Sequence, residues 1–278
     1  MPGKKQLTKA KEILAEGNEL KKQGKIEESI ETYQKAIKIK ADFSAPLNKL
    51  GAIYEKQKNW TEAEKCYRRL IGFNQDKPET YLKLARVLRR QKKILGAKAA
   101  YQQAIELKTD WEGKIYKEIG DALARKDKSE EEAIAVYQKA AELENFEEKF
   151  YIRLGKLLKD KNRLDEALNC YEKALELKPE ESILYLGIGE VQQKQGKLDE
   201  AVKSYQKAIE LNKEAVGAYQ SLGKILKQKG QLDTALKCYQ KALQLSPDSR
   251  RINRLVGDIL KQQGKESEAQ EYYQKAGL

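Results

Sequence analysis

Residues 171–180 read YEKALELKPE, and residues 239–248 read YQKALQLSPD. The same phrase recurs as YQKAIKIKAD from Tyr33, YRRLIGFNQD from Tyr67, YQQAIELKTD from Tyr101, YQKAAELENF from Tyr137 and YQKAIELNKE from Tyr205, and the chain stops inside YQKAGL from Tyr273. Successive tyrosines lie 34 residues apart, except for one interval of 36. A fixed period of this length marks a repeat array, in which each unit buries its apolar face against its neighbours. The 278 residues therefore read as one all-α solenoid rather than two ordinary domains.

Within one period the pattern is helical twice over. In residues 182–215, Tyr185, Ile188, Gly189 and Gln192 share one face of a first helix. Leu198, Ala201, Val202, Tyr205, Ala208 and Ile209 form the apolar face of a second. Gly196 between them suits the left-handed residue that ends a helix. Small residues recur in the first helix at Gly17, Gly51, Ala85, Gly120, Gly155, Gly189, Gly223 and Gly257. A helical glycine costs about 1 kcal/mol relative to alanine. Seven of them imply another helix backbone passing close by. Ser29 and then alanines from Ala63 to Ala269 form the matching small set in the second helix, with the tyrosine filling the wedge.

Gly or Ala at position eight, Ala at twenty, Tyr at twenty-four, Ala at twenty-seven and Pro179 or Pro247 near the end of a unit resemble the tetratricopeptide repeat. The resemblance covers residues 10–278 as eight repeats: 10–43, 44–77, 78–112, 113–147, 148–181, 182–215, 216–249 and 250–278, after an N-terminal tail of residues 1–9. It implies a right-handed superhelix of antiparallel helix pairs. Two residues are extra around repeat four, one in the connector 108–114 and one in the turn 125–132, and longer turns are expected there. No polar capping element follows the last helix. An open end of this kind is either tolerated, or pairs with a second copy, or marks the chain as the targeting or substrate-recruiting arm of a larger transferase-type enzyme.

Chemistry is sparse. The chain has no histidine, which removes His-based triads, proton shuttles and His metal sites. Cys66, Cys170 and Cys238 each precede the repeated tyrosine, too far apart along an array for disulfides or a zinc cluster. They read as buried thiols. Gly187 and Gly189 lack the third glycine of a dinucleotide fingerprint. Gly17, Gly24 and Lys25 miss the spacing of a phosphate loop. The reading is a non-enzymatic chain with no cofactor and no metal site. No apolar stretch is long enough for a membrane span or a signal peptide, so a cytoplasmic location is expected.

The net charge of +12 has a direction. Positions 2, 5, 6, 9, 12 and 13 of the repeats lie opposite the core face of the first helix. In proteins of the resembled family that side lines a concave groove that holds peptides. Across eight repeats these positions carry 22 Lys or Arg against 7 Asp or Glu. Helix-end positions 12 and 13 favour cations for dipole reasons alone. Without them the face keeps Lys83, Arg86, Lys117, Lys149, Arg153 and Lys156 in the middle, Lys224 after them, and Arg251 and Arg254 near the end. Asn48 joins this candidate set, at a slot like that of the family's carboxylate clamp, although Leu14 and Glu79 replace lysines the clamp needs. Two readings stand, a basic groove for an acidic or extended peptide and a merely solvated helix face. Nucleic acid is the third possible partner, but none of the 48 inner positions is aromatic and base stacking is not provided for.

Overall fold

The computed structural model describes residues 2–124 and 130–278. Among the described residues there are sixteen helices and no strand. They fall into two compact units, Met1–Leu143 and Glu144–Leu278. The first holds α1 (Pro2–Lys22), α2 (Ile26–Ile39), α3 (Ser44–Lys56), α4 (Trp60–Phe73), α5 (Pro78–Arg90), α6 (Ile94–Leu107), α7 (Gly113–Leu123) and α8 (Glu130–Leu143). The second holds α9 (Glu148–Asp160), α10 (Leu164–Leu177), α11 (Ser182–Lys194), α12 (Leu198–Leu211), α13 (Val216–Gln228), α14 (Leu232–Leu245), α15 (Arg250–Gln262) and α16 (Glu266–Ala276). Within each unit helices pack chiefly on their neighbours in sequence, as in an all-α solenoid. Residues 2–9 continue α1 as helix.

Among the described residues, the turn between the two helices of a repeat is the same object built from different residues. Gly24, Gly196, Gly230 and Gly264 take φ between +74° and +79°. Repeats two, three and five place Lys58, Lys92 and Asn162 there, with φ of 58°, 62° and 62°. In every case the following N–H reaches back to the carbonyl five residues earlier, as in Lys25 to Leu20 and Lys93 to Leu88, both at 2.9 Å. This closes the first helix and satisfies a carbonyl that would otherwise lack a partner.

The core of each unit is built on the repeated tyrosines. Tyr33, Tyr67, Tyr101, Tyr137, Tyr205 and Tyr239 are fully buried. Burying each such ring contributes roughly 2–3 kcal/mol. The helical glycines at this slot face these rings. A Cβ on Gly189 would stand 2.6 Å from Cε1 of Tyr205, and one on Gly120 would stand 2.6 Å from Cδ1 of Tyr137. The tyrosine ring takes the room that the missing methyl leaves. A neighbouring backbone also passes close, as expected, at Gly155 and Gly257, whose Cβ positions lie 3.3 Å from the carbonyls of Ala167 and Ala269.

Repeat-to-repeat ties add to the stack. Gln57 donates to Glu27 (3.0 Å), Gln195 to Asp165 (2.8 Å), Gln263 to Asp233 (2.8 Å) and Lys229 to Asp199, each thirty residues apart. The connector 108–112 has five residues where the one at 40–43 has four. It accommodates the extra residue by burying Trp111, whose indole N–H donates to the Ala104 carbonyl at 3.3 Å beneath the Lys108 ammonium. The other expected insertion falls mostly at 125–129, outside the described residues.

Candidate functional site

The first helix of each repeat shows one face to its own second helix and leaves the other open. The open face carries the charges, and the buried tyrosines reach it with their hydroxyls. Tyr33 donates to Asn18 (2.9 Å), Tyr137 to Asp121 (2.7 Å), Tyr205 to Gln193 (2.9 Å) and Tyr273 to Asp258 (3.1 Å), and Tyr67 donates to Glu55. In each case the acceptor is at position 9 or 12 of the same repeat. Charge counting overlooks these bonds. The signal that could have found them is the regular pairing of tyrosine at position 24 with an acid or amide at 9 or 12.

In the first unit the candidate cations are held by neighbours. Lys83 donates to Asn48 at 3.2 Å and stands 5.8 Å from the centre of the Tyr67 ring. Arg86 grips Glu118, its Nη2 at 2.7 Å from Oε2 and its Nε at 3.0 Å from Oε1. Arg89 stands 3.5 Å from the same carboxylate, and the Tyr101 hydroxyl donates to it at 2.9 Å. Burial pushes the Glu118 carboxyl up, but the bond and charge of Arg86, the Tyr101 hydroxyl and the charge of Arg89 together outweigh that and hold it below the usual range. Lys117 pairs with Asp121 at 3.4 Å. Lys83, Arg86 and Lys117 are therefore each pinned by a polar neighbour.

The second unit differs. Lys149, Arg153 and Lys156 are exposed on α9, Lys224 is exposed on α13, and Arg251 and Arg254 are exposed on α15. Among the described residues Lys149, Lys156, Lys224, Arg251 and Arg254 make no ion pair. Lys159 pairs with Glu190, and Lys194 donates to the Lys159 carbonyl at 2.8 Å. A cleft of about 740 Å³ opens on this face, with Lys159, Glu190, Lys224, Tyr239, Arg251 and Leu255 among its walls. The thiols lie elsewhere. Burial pushes Cys66 and Cys170 up to about 11, which leaves them as unreactive packing groups. No group of three or more metal-ligating side chains occurs among the described residues, and no helix among them is long and apolar enough to cross a membrane.

The family profile described as TPR repeat matches residues 17–58, 155–196, 193–229 and 223–264, more than half of the chain. The chain belongs to the tetratricopeptide repeat family. Other profiles described as tetratricopeptide repeat match residues 47–79, 82–147 and 255–276. No curated protein matches. Among solved structures, a MamA protein shares 26% identity over 59% of this chain and 89% of its own, with a TM-score of 0.52. MamA from Desulfovibrio magneticus RS-1 shares 22% identity over 59% and 92%, with a TM-score of 0.53. YrrB, a TPR protein with an unusual peptide-binding site, shares 22% over 67% and 95%, with a TM-score of 0.54. These are likenesses of fold. Membership in the family supports a protein-interaction scaffold.

Proposed function

We propose that this chain is a non-catalytic scaffold that holds an acidic, extended peptide segment of a partner protein against the open face of its first helices. The observation that carries this reading is the set of exposed, unpaired cations on the second unit: Lys156, Lys224, Arg251 and Arg254. Such a face speeds the encounter with acidic segments and loses affinity as salt rises. The similar fold of YrrB, a peptide-binding repeat protein, agrees with a peptide as the ligand class. Nucleic acid is the less suitable occupant, because the repeated tyrosine rings are packed in the core rather than offered for stacking.

The test is anisotropy of a labelled acidic peptide and of a labelled single-stranded oligonucleotide against the full chain at several salt concentrations. The expected result is saturable, salt-weakened peptide binding that falls sharply when Lys156, Lys224, Arg251 and Arg254 are changed to Glu. Peptide binding that ignores this charge reversal, or preference for the oligonucleotide, would overturn the reading.

A further inference from the structure

Repeat three shows how this architecture holds a carboxylate. Its positions 9 and 12 are both cations, Arg86 and Arg89, so Tyr101 finds no acceptor in its own repeat. Position 6 of the next repeat supplies one. The Glu118 carboxylate accepts from Tyr101 at 2.9 Å and Arg86 at 2.7 Å, with Arg89 at 3.5 Å.

Repeat seven has the same arrangement with the carboxylate left out. Positions 9 and 12 are again cations, Lys224 and Lys227, and position 6 of the next repeat is Leu255. Lysine offers only donors. Asp258, at position 9 of repeat eight, accepts from Tyr273 instead. The Tyr239 hydroxyl is accordingly buried with no hydrogen-bond partner, in a side chain that is 0% exposed. A buried hydroxyl without a partner is costly and rare. Tyr239 lines the cleft of the second unit beside Lys224, Arg251 and Leu255.

We infer that this cleft is a carboxylate subsite, in which a carboxylate of the bound peptide takes the place that Glu118 holds against Tyr101. Tyr239 donates to it, and Lys224 and Arg251 supply the charge. This rests on the acidic-peptide reading above and names the point where one acid of that peptide is read. A carboxylate suits the site better than a phosphate dianion, since Asp160 and Glu190 share the cleft and Glu190 already uses Lys159. Both a side-chain carboxylate and a peptide C-terminus have this chemistry.

The experiment uses the full chain and three labelled probes: a hexaglutamate peptide blocked at both ends, the same peptide with a free C-terminus, and a blocked hexaglutamine peptide. Tyr239→Phe is expected to weaken glutamate-peptide binding about tenfold, as for loss of one charge-assisted hydrogen bond. It should also raise the urea midpoint of the free protein, because an unpartnered hydroxyl is removed. Tyr33→Phe, in the first unit, is the control. It loses the bond to Asn18, so its midpoint should fall while binding stays unchanged. Leu255→Glu places a carboxylate where Glu118 stands in repeat three, and should stabilise the free protein and abolish binding. Tighter binding of the free C-terminus identifies the terminal carboxylate as the source, and equal binding identifies a side chain. Glutamate-peptide binding that is indifferent to Tyr239→Phe, Leu255→Glu and Arg251→Gln overturns this subsite and leaves the wider groove reading in place. Failure of both glutamate peptides to bind at low salt overturns the groove reading and the subsite with it. A lowered midpoint for Tyr239→Phe overturns the premise that the hydroxyl lacks a partner.

Discussion

Replacing Gly189 by alanine tests whether the tyrosine wedge sets the packing of the repeat. The added Cβ would stand 2.6 Å from Cε1, 2.7 Å from Cδ1 and 3.1 Å from Cζ of Tyr205. Carbon atoms rest at about 3.5–4.0 Å, so the ring must retreat by about 1 Å. It has little freedom to do so, being fully buried and tied through its hydroxyl to Gln193 at 2.9 Å. Overpacking of this kind costs about 1–3 kcal/mol, and the gain in helix propensity returns about 1 kcal/mol. The net expectation is a loss of about 1 kcal/mol. Gly155→Ala is the matched comparison. Its Cβ would meet Tyr171 at 3.2 Å and the Ala167 carbonyl at 3.3 Å, so a shift of a few tenths of an ångström suffices. There the propensity gain should prevail, for a net stabilisation of about 0.5 kcal/mol. Both variants should keep the fold, since repeat three already seats a methyl at this slot in Ala85, opposite the buried Tyr101. Repeat arrays need not unfold in two states, so local readout is preferable to a single midpoint. Amide hydrogen exchange in α11 and α12, compared with that in α9 and α10, reports each repeat separately. Equal effects of the two substitutions, or a more stable Gly189→Ala than Gly155→Ala, would refute the ring-contact reasoning.

Lys58→Gly and Lys92→Gly should each stabilise the chain by about 1 kcal/mol in chemical unfolding, because both lysines occupy left-handed backbone that a side chain disfavours. Asn162→Gly should gain less, since asparagine tolerates that region. Glu64 accepts from Lys93 at 2.7 Å and Arg68 at 2.8 Å, and although burial pushes its carboxyl up, these bonds hold it down at about 2. Its folded value is depressed, so its contribution is complete above the ordinary 4.5 and is lost as pH falls toward about 2. Glu64→Gln should therefore cost about 2 kcal/mol near pH 7, and the gap from the native chain should narrow at acid pH, which paired urea titrations would check. Glu118→Gln should cost about 1–2 kcal/mol and speed amide exchange in α5 and α7, since it leaves Arg86 and Arg89 facing a neutral group. Residues 250–278 should exchange before the other repeats of their unit. Asn253 is buried there with its side-chain carbonyl unpartnered, at a slot that is tyrosine in repeats three to seven.

Much of this fold is legible in the chain because the period is a local property. A tyrosine every 34 residues, with alanines at fixed offsets, identifies both helices and the row of rings they enclose. Gly196 announces its own turn, whereas Lys58 and Lys92 adopt the same left-handed geometry without a compositional signal, because the packed helices on either side impose it. The candidate site was harder to read. Position in a repeat places Arg86 on the open face, but whether its charge is available depends on Glu118, thirty-two residues away, reaching back from the next repeat. Summing charges over a face misses such pairs. It also treats Lys83 and Lys224 alike, although the first donates to Asn48 and the second makes no ion pair. The hydroxyl of a buried tyrosine is silent in a hydropathy pattern, so the link from core to open face shows in the sequence only as the pairing of that tyrosine with an acid or amide at position 9 or 12.

The division of labour inside each tyrosine has an evolutionary consequence. The ring meets the same glycine and alanine companions in nearly every repeat, while the group that receives its hydroxyl varies from Asn18 to Glu55, Asp121 and Gln193. A lineage that duplicates this unit inherits the packing solution intact. One codon change at the receiving slot then alters what the surface presents, from a neutral amide to an acid to an empty seat. New specificities can be explored one repeat at a time, with each trial leaving the ring packing beneath it in place.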